Sequence, residues 1–242
     1  MKRFALVACL LMLGACSTYT TPGAGVSLAA ISENDGDIAA AFAREPAAVF
    51  PAQMAVVRVA ASGYRSGTNE SVGSGAFAIV STRDVESDES FERLRRMPQI
   101  AAIAPVSRLL VPAQLGSIRD LRASAAQLKA DVLLIYTIDT RFRTESTQLG
   151  PLQTIALGFL PSEKAVVHAT CAFMIVDVRT GFIYGTGETT AMEDQRSNIW
   201  GSSSAIETAR LAAERRAFED SLGEVSELWA NVVATHASRP AS

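Results

Sequence analysis

The run from Asp131 to Phe142 (DVLLIYTIDTRF) places Val132, Leu134, Tyr136, Ile138 and Phe142 on one face, while on the other Leu133 and Ile135 give way to Asp139 and Arg141. Side chains alternate across a strand, so the segment predicts a strand buried on both faces at its start and on one face at its end. Lys164 to Val178 (KAVVHATCAFMIVDV) repeats the pattern. Val167, Ala169, Cys171, Phe173 and Ile175 make its apolar face, and His168 stands opposite with Val166, Thr170 and Met174. Arg179-Thr180-Gly181 then turns the chain into Phe182–Thr190, which predicts a hairpin.

Upstream, Gln53–Ala60 and Gly75–Ser81 are short β-branched runs joined by a glycine-rich stretch, and both read as strands. Gly73-Ser74-Gly75 lacks the spacing of a phosphate loop and leads into a strand, which excludes that reading. Ser87 followed by Asp88 and Glu89 opens a helix; Arg93, Arg95 and Arg96 complement its dipole, and Pro98 closes it. Ile100–Val106 is a third strand, and Ser117 with Asp120 caps a second helix with Ile118, Leu121, Ala125 and Leu128 on one face. From Ser204 the period becomes helical: Leu211, Phe218, Val225 and Val232 recur every seven residues, joined by Leu222 and Trp229. A stripe of about thirty residues is ~45 Å long. It lies across the sheet or meets a coiled-coil partner. This order predicts an α+β (mixed α/β) fold, a single sheet of about five to seven strands covered by helices, with a long C-terminal helix. The domain is expected over residues 51–236, with a tail at 237–242.

The amino terminus has a different pattern. Lys2 and Arg3 precede a purely apolar run, Phe4–Leu13, the layout of a secretory signal. About ten apolar residues fall well short of the ~20 that a spanning helix needs. Leu13-Gly14-Ala15-Cys16 resembles the lipobox of bacterial lipoproteins. That resemblance implies removal of residues 1–15, diacylation of the Cys16 sulfur and acylation of the new amino terminus. Each acyl CH₂ contributes ~0.8 kcal/mol, so one chain holds marginally and three hold permanently. Ser17 follows the cysteine where an Asp would imply inner-membrane retention, so the expected location is the periplasmic face of the outer membrane. An ordinary secretory signal is the alternative. Residues 16–50, with turn formers at Thr20–Gly23 and Asn34–Gly36, read as a lipidated tether, and Asp37 caps a short helix through Phe42.

Composition supports a folded exported domain, at 48% hydrophobic and 19% charged, with three cysteines. Cys9 leaves with the signal and Cys16 carries lipid, so Cys171 has no disulfide partner and reads as a small core residue. Net charge is −3, and loss of Lys2 and Arg3 takes it to −5. With no basic run, nucleic acid is not an expected partner.

Two stretches, AAQLKADVLLIYTID (Ala125–Asp139) and FMIVDVRTGFIYGTGE (Phe173–Glu188), resemble the periplasmic lipoprotein group around the curli-secretion subunit CsgG, the penicillin-binding-protein activator LpoB and the TolB amino-terminal domain. The resemblance implies a compact, non-enzymatic sheet-and-helix domain. The chain departs from it by following its first strand with another strand rather than a helix.

Candidate chemistry is sparse. His168 is mid-strand, His236 lies in the last helical turn, and neither has a second ligand at metal-site spacing. The nucleophile motif G-x-S-x-G is absent, and Glu188, Glu193 and Asp194 read as a solvated cluster or as paired carboxylates. No enzyme activity, cofactor or metal is expected. Leu149–Leu160 carries no charge, and three placements suit it: a buried loop or hairpin, a partner surface presenting Leu157, Phe159 and Leu160, or a lipid contact. The expected function is that of a lipid-anchored periplasmic accessory or scaffold protein that helps assemble, activate or stabilise an envelope protein complex. A subunit of an oligomeric outer-membrane secretion channel, built from further copies of the chain, is the alternative. An envelope enzyme is the second.

Overall fold

Fifteen-residue strands set the dimensions of the molecule. The fold is given by a computed structural model, which describes residues 25–27, 38–146, 163–197 and 202–237, and the side chains of all of these except 38–39, 143–146, 163–165, 195–197 and 202–205. In chain order the elements are α1 (Ile38–Phe42), β1 (Ala52–Ala60), β2 (Ser74–Gly75), β3 (Ala78–Val80), α2 (Asp88–Arg95), β4 (Ile100–Pro105), β5 (Gln114–Leu115), α3 (Ile118–Gln127), β6 (Val132–Ser146), β7 (Glu163–Asp177), β8 (Ile183–Ser197) and α4 (Ser202–His236). The main sheet has six strands in the order β3-β1-β6-β7-β8, with β4 paired to β1. β1 is parallel to β4 and β6, whereas β3 on β1, and the ribbon β6-β7-β8, are antiparallel. This is the α+β fold that the alternation predicts.

The two faces of β6 sort as their residues demand. Val132, Leu134, Tyr136 and Ile138 join Cys171 and Phe173 of β7 in a core closed by α2 and α4. Leu133 and Ile135 join Met174 and Val176 in a second core, closed by Ile118, Leu121 and Ala125 of α3. Cys171 is fully buried there, in the first core, as the strand pattern requires.

The length of α4 follows from the strands. Thirty-five helical residues span about 52 Å, and fifteen-residue strands span about 50 Å. The helix runs antiparallel to β8: Arg216 pairs with Glu193, Thr189 Oγ1 donates to the Ala217 carbonyl, and His236 lies edge-on to the Phe182 and Tyr184 rings. Its stripe contains Phe218, Leu222, Val225, Trp229 and Val232. Leu211 is only half-buried; nearer the amino end the stripe is made by Ala209, Ala213 and Ala217, with Arg210 and Glu214 buried beside them. The seven-residue repeat misplaced Leu211 because the small alanines, not the leucine, let the helix lie close to the sheet.

Two further expectations are corrected. Gly75–Ser81 is not one strand: Ser74–Gly75 pairs with Gln114–Leu115 in a separate two-stranded sheet, and only Ala78–Val80 reaches the main one. Gly75 adopts φ +116°, and a Cβ there would collide with the Leu115 carbonyl oxygen, so the chain breaks direction where the sequence reads as continuous. β8 continues past Thr190 to Ser197.

The two stretches that carry the family resemblance meet in one knot. Asp177 accepts from the amides of Arg179 and Thr180, which closes the β7–β8 turn, and from the Tyr184 hydroxyl and the Ala47 amide. Arg179 in turn reaches Asp131 at 2.8 Å, and Asp131 holds the Gln53 amide at the start of β1. Residues just ahead of β1 are part of this packing: Ala48 and Phe50 rest on the first core, with the Phe50 ring 5.7 Å from Trp229.

Candidate functional site

Beyond the reach of α3, the second face of the β6-β7-β8 ribbon is open among the described residues. An antiparallel sheet tolerates this because one face can be solvated. The open area forms a groove of about 860 Å³. Register arranges its floor in three cross-strand rows: Thr137, Ala172 and Glu188; Asp139, Thr170 and Thr190; Arg141, His168 and Met192. Thr170 and Thr190 share a hydroxyl–hydroxyl bond of 2.9 Å, and Arg141 Nε lies 3.4 Å from Asp139 Oδ2. The floor thus offers hydroxyls, both signs of charge and an exposed methionine, a mixture that suits a polypeptide.

One piece of polypeptide already lies there. Gly25, Val26 and Ser27 line the groove. The Gly25 amide donates to Asp139 Oδ1 at 3.2 Å, and the Val26 amide donates to Thr137 Oγ1 at 3.1 Å. The Val26 side chain is only 8% exposed and belongs to the second core. A Cβ on Gly25 would meet Asp139 Cβ at 3.0 Å and its Cα at 3.1 Å, so this position seats only a glycine without displacement. The sequence reads this part as tether; its only local signal is a Gly-Val pair in a small polar run.

Across the sheet lies a buried ion cluster. Arg58, on the Met54–Val56 face of β1, is 3.0 Å from Asp84 and 3.5 Å from both Glu86 and Glu214. Arg210 holds Glu214 and Glu207 at 2.7 Å and donates to Thr68 at 3.1 Å. Thr140 and Tyr136 complete the set through Glu214 and Glu86. Burial alone would raise the Asp84 carboxyl, but Arg58, Thr68 and Arg210 hold it below its ordinary value. Burial and the Glu86 carboxylate push the Tyr136 hydroxyl well up. The cluster ties α4 to β1 and to the connections on either side of β3, and its groups engage one another except at Glu86 Oε2, which is buried without a hydrogen-bond partner. Its visible signals were an arginine on the inner face of β1 and an Arg-Glu pair at i,i+4 on α4.

Of the residues singled out in the sequence, Cys16, Ser17, Leu157, Phe159 and Leu160 lie outside the described residues. His168 and Glu188 are brought to the groove, whereas Glu193 pairs with Arg216 on the opposite side. Among the described residues no three His, Cys, Asp or Glu side chains come together as a metal site, and no helix is long and apolar enough to cross a membrane.

No family model matches the chain, and neither does any curated protein. Among solved structures, protein XCC0632 from Xanthomonas campestris, of family DUF330, is 13% identical, with 89% of this chain and 99% of that one covered at a TM-score of 0.40. A candidate lipoprotein from Caulobacter crescentus CB15 is 14% identical, covering 46% of this chain and 77% of that one at 0.30. The hypothetical protein CT253 from Chlamydia trachomatis is 13% identical, covering 73% and 96% at 0.28. Likenesses of this strength carry no argument about activity.

Proposed function

We propose that the protein is a lipid-anchored periplasmic accessory protein, held at the outer membrane through Cys16, that binds an envelope protein through the open face of β6-β7-β8. The observation that carries this reading is the groove itself. It holds the Gly25 and Val26 backbone with two side-chain acceptors, Asp139 and Thr137, and an apolar socket for Val26, while Thr170, His168, Glu188 and Thr190 line the same groove. The reading is of a binding protein: its carboxylate at Asp139 is engaged by backbone and arginine rather than set against a nucleophile or a second acid. It tests by photo-cross-linking in intact cells from a reactive amino acid at Thr190, on the groove, and at Ala230, on the outward side of α4. A discrete adduct from Thr190 and none from Ala230 is expected. Equal adducts from both positions, or none from Thr190, contradict it.

A further inference from the structure

Gly25 is nine positions on from Cys16 and is seated on the open sheet face. A fully extended chain advances at most ~3.6 Å per residue, so the seat lies within about 32 Å of the anchored sulfur. Were the whole segment up to Pro51 free, the same arithmetic would allow about 126 Å. We infer that Gly25–Val26–Ser27 is a strap that turns the open face of β6-β7-β8 toward the bilayer, so that the groove takes a polypeptide segment of a membrane-held protein. The inference rests on the anchoring of Cys16 proposed above.

Three independent features make the strap a built contact. Val26 is buried in a core otherwise composed of residues of the sheet, of α3 and of their connections. Its amide and that of Gly25 each find a side-chain acceptor on β6, which satisfies groups that burial would otherwise leave unpaired. Gly25 is the residue that permits the approach, since any side chain would meet the Asp139 backbone. The helices α2 and α4 cover the other face of the ribbon, so the strap separates a membrane-proximal sheet face from a distal helical one. A soluble periplasmic partner would have to enter a gap no wider than the leash. A partner already held at the membrane presents its segment inside that gap.

The full lipidated chain, reconstituted into phosphatidylethanolamine–phosphatidylglycerol vesicles bearing a headgroup quencher, tests the orientation with a fluorophore on Thr190→Cys or Ala230→Cys; the native Cys171 is buried. Quenching several-fold stronger at Thr190 than at Ala230 is expected, and Gly25→Val should bring the two together while the domain still melts cooperatively, a few degrees lower because Val26 leaves its core. Equal quenching in the otherwise native chain, or a difference that survives Gly25→Val, overturns the strap. A chain that fails to float with the vesicles overturns the anchoring instead, and the inference with it, so the two failures read out separately. For the partner class, mass spectrometry of the Thr190 adduct should identify a protein with a membrane anchor or span of its own; an adduct to a soluble periplasmic protein overturns that part.

Discussion

The amide of Val26 donates to Thr137 Oγ1 at 3.1 Å, across 111 positions of sequence. This one bond joins the stretch nearest the lipid signal to the groove floor, and it makes the strap's contribution to stability measurable. Val26→Ala removes two methyl groups from a buried site, a loss of about 1–1.5 kcal/mol. The expected result is a melting temperature lower by a few degrees and faster proteolysis ahead of residue 38. An unchanged melt and digestion pattern would mean that the strap is not seated.

Arg58 is a buried charge shared by three carboxylates. Removing one partner of a buried ion pair leaves uncompensated charge and costs about 3–5 kcal/mol, and Arg58→Met removes the cation shared by Asp84, Glu86 and Glu214, leaving Glu86 with the Tyr136 hydroxyl while Arg210 still reaches the other two. Arg65→Ala breaks an exposed pair with Glu70, worth at most about 1 kcal/mol. Urea midpoints for the two variants, at unchanged slope, should differ accordingly. A small effect at Arg58 would contradict the cluster.

The same cluster sets an acid limit. The Asp84 carboxyl is held below its ordinary 3.8 in the folded state, so its contribution is present above that pH and is lost as pH falls through the folded value. Denaturation curves between pH 5 and pH 2 should show stability declining more steeply for the native chain than for Asp84→Asn. Parallel declines would show that Asp84 does not titrate differently in the fold.

Much of the sheet is legible in the sequence because β6 and β7 satisfy two faces at once: alternation tells Leu134 from Leu133, and the same rule sends Asp139 and His168 outward. What is not legible depends on distant partners. Arg58 is visible as an arginine on the inner face of β1, but nothing in the sequence pairs it with Glu214 until the fold brings them together. Gly25 reads as linker because nothing in its neighbours announces Asp139. The split at Gly75 follows from a positive φ, which a β-branched run on its far side conceals.

Cys171 gives a check on the core. Burial pushes its thiol up from 9.0 to about 12, with the Ser221 hydroxyl as a weaker opposing influence. It should resist thiol reagents in the native state and react promptly in denaturant. A raised folded value means stability that is complete below pH 9 and is lost as pH rises toward 12, and Cys171→Ala should flatten that loss. Rapid native labelling would place the thiol at the surface.

Anchoring has its own measurement. Cys16→Ala should leave the protein unprocessed or free in the periplasm after fractionation. A processed Cys16→Ala protein that still sediments with the outer membrane after a high-salt wash would contradict the lipobox reading.

The most direct measurement of the central claim, that the open face of β6-β7-β8 is where an envelope partner binds, is the Thr190 cross-link in a chain carrying Thr170→Arg. Thr170 sits mid-floor between Asp139 and Thr190, so the arginine fills the groove from a half-exposed position without entering either core. The account predicts that the adduct disappears while the melting temperature and membrane fractionation stay as they were. An adduct of undiminished yield from the filled groove would contradict it.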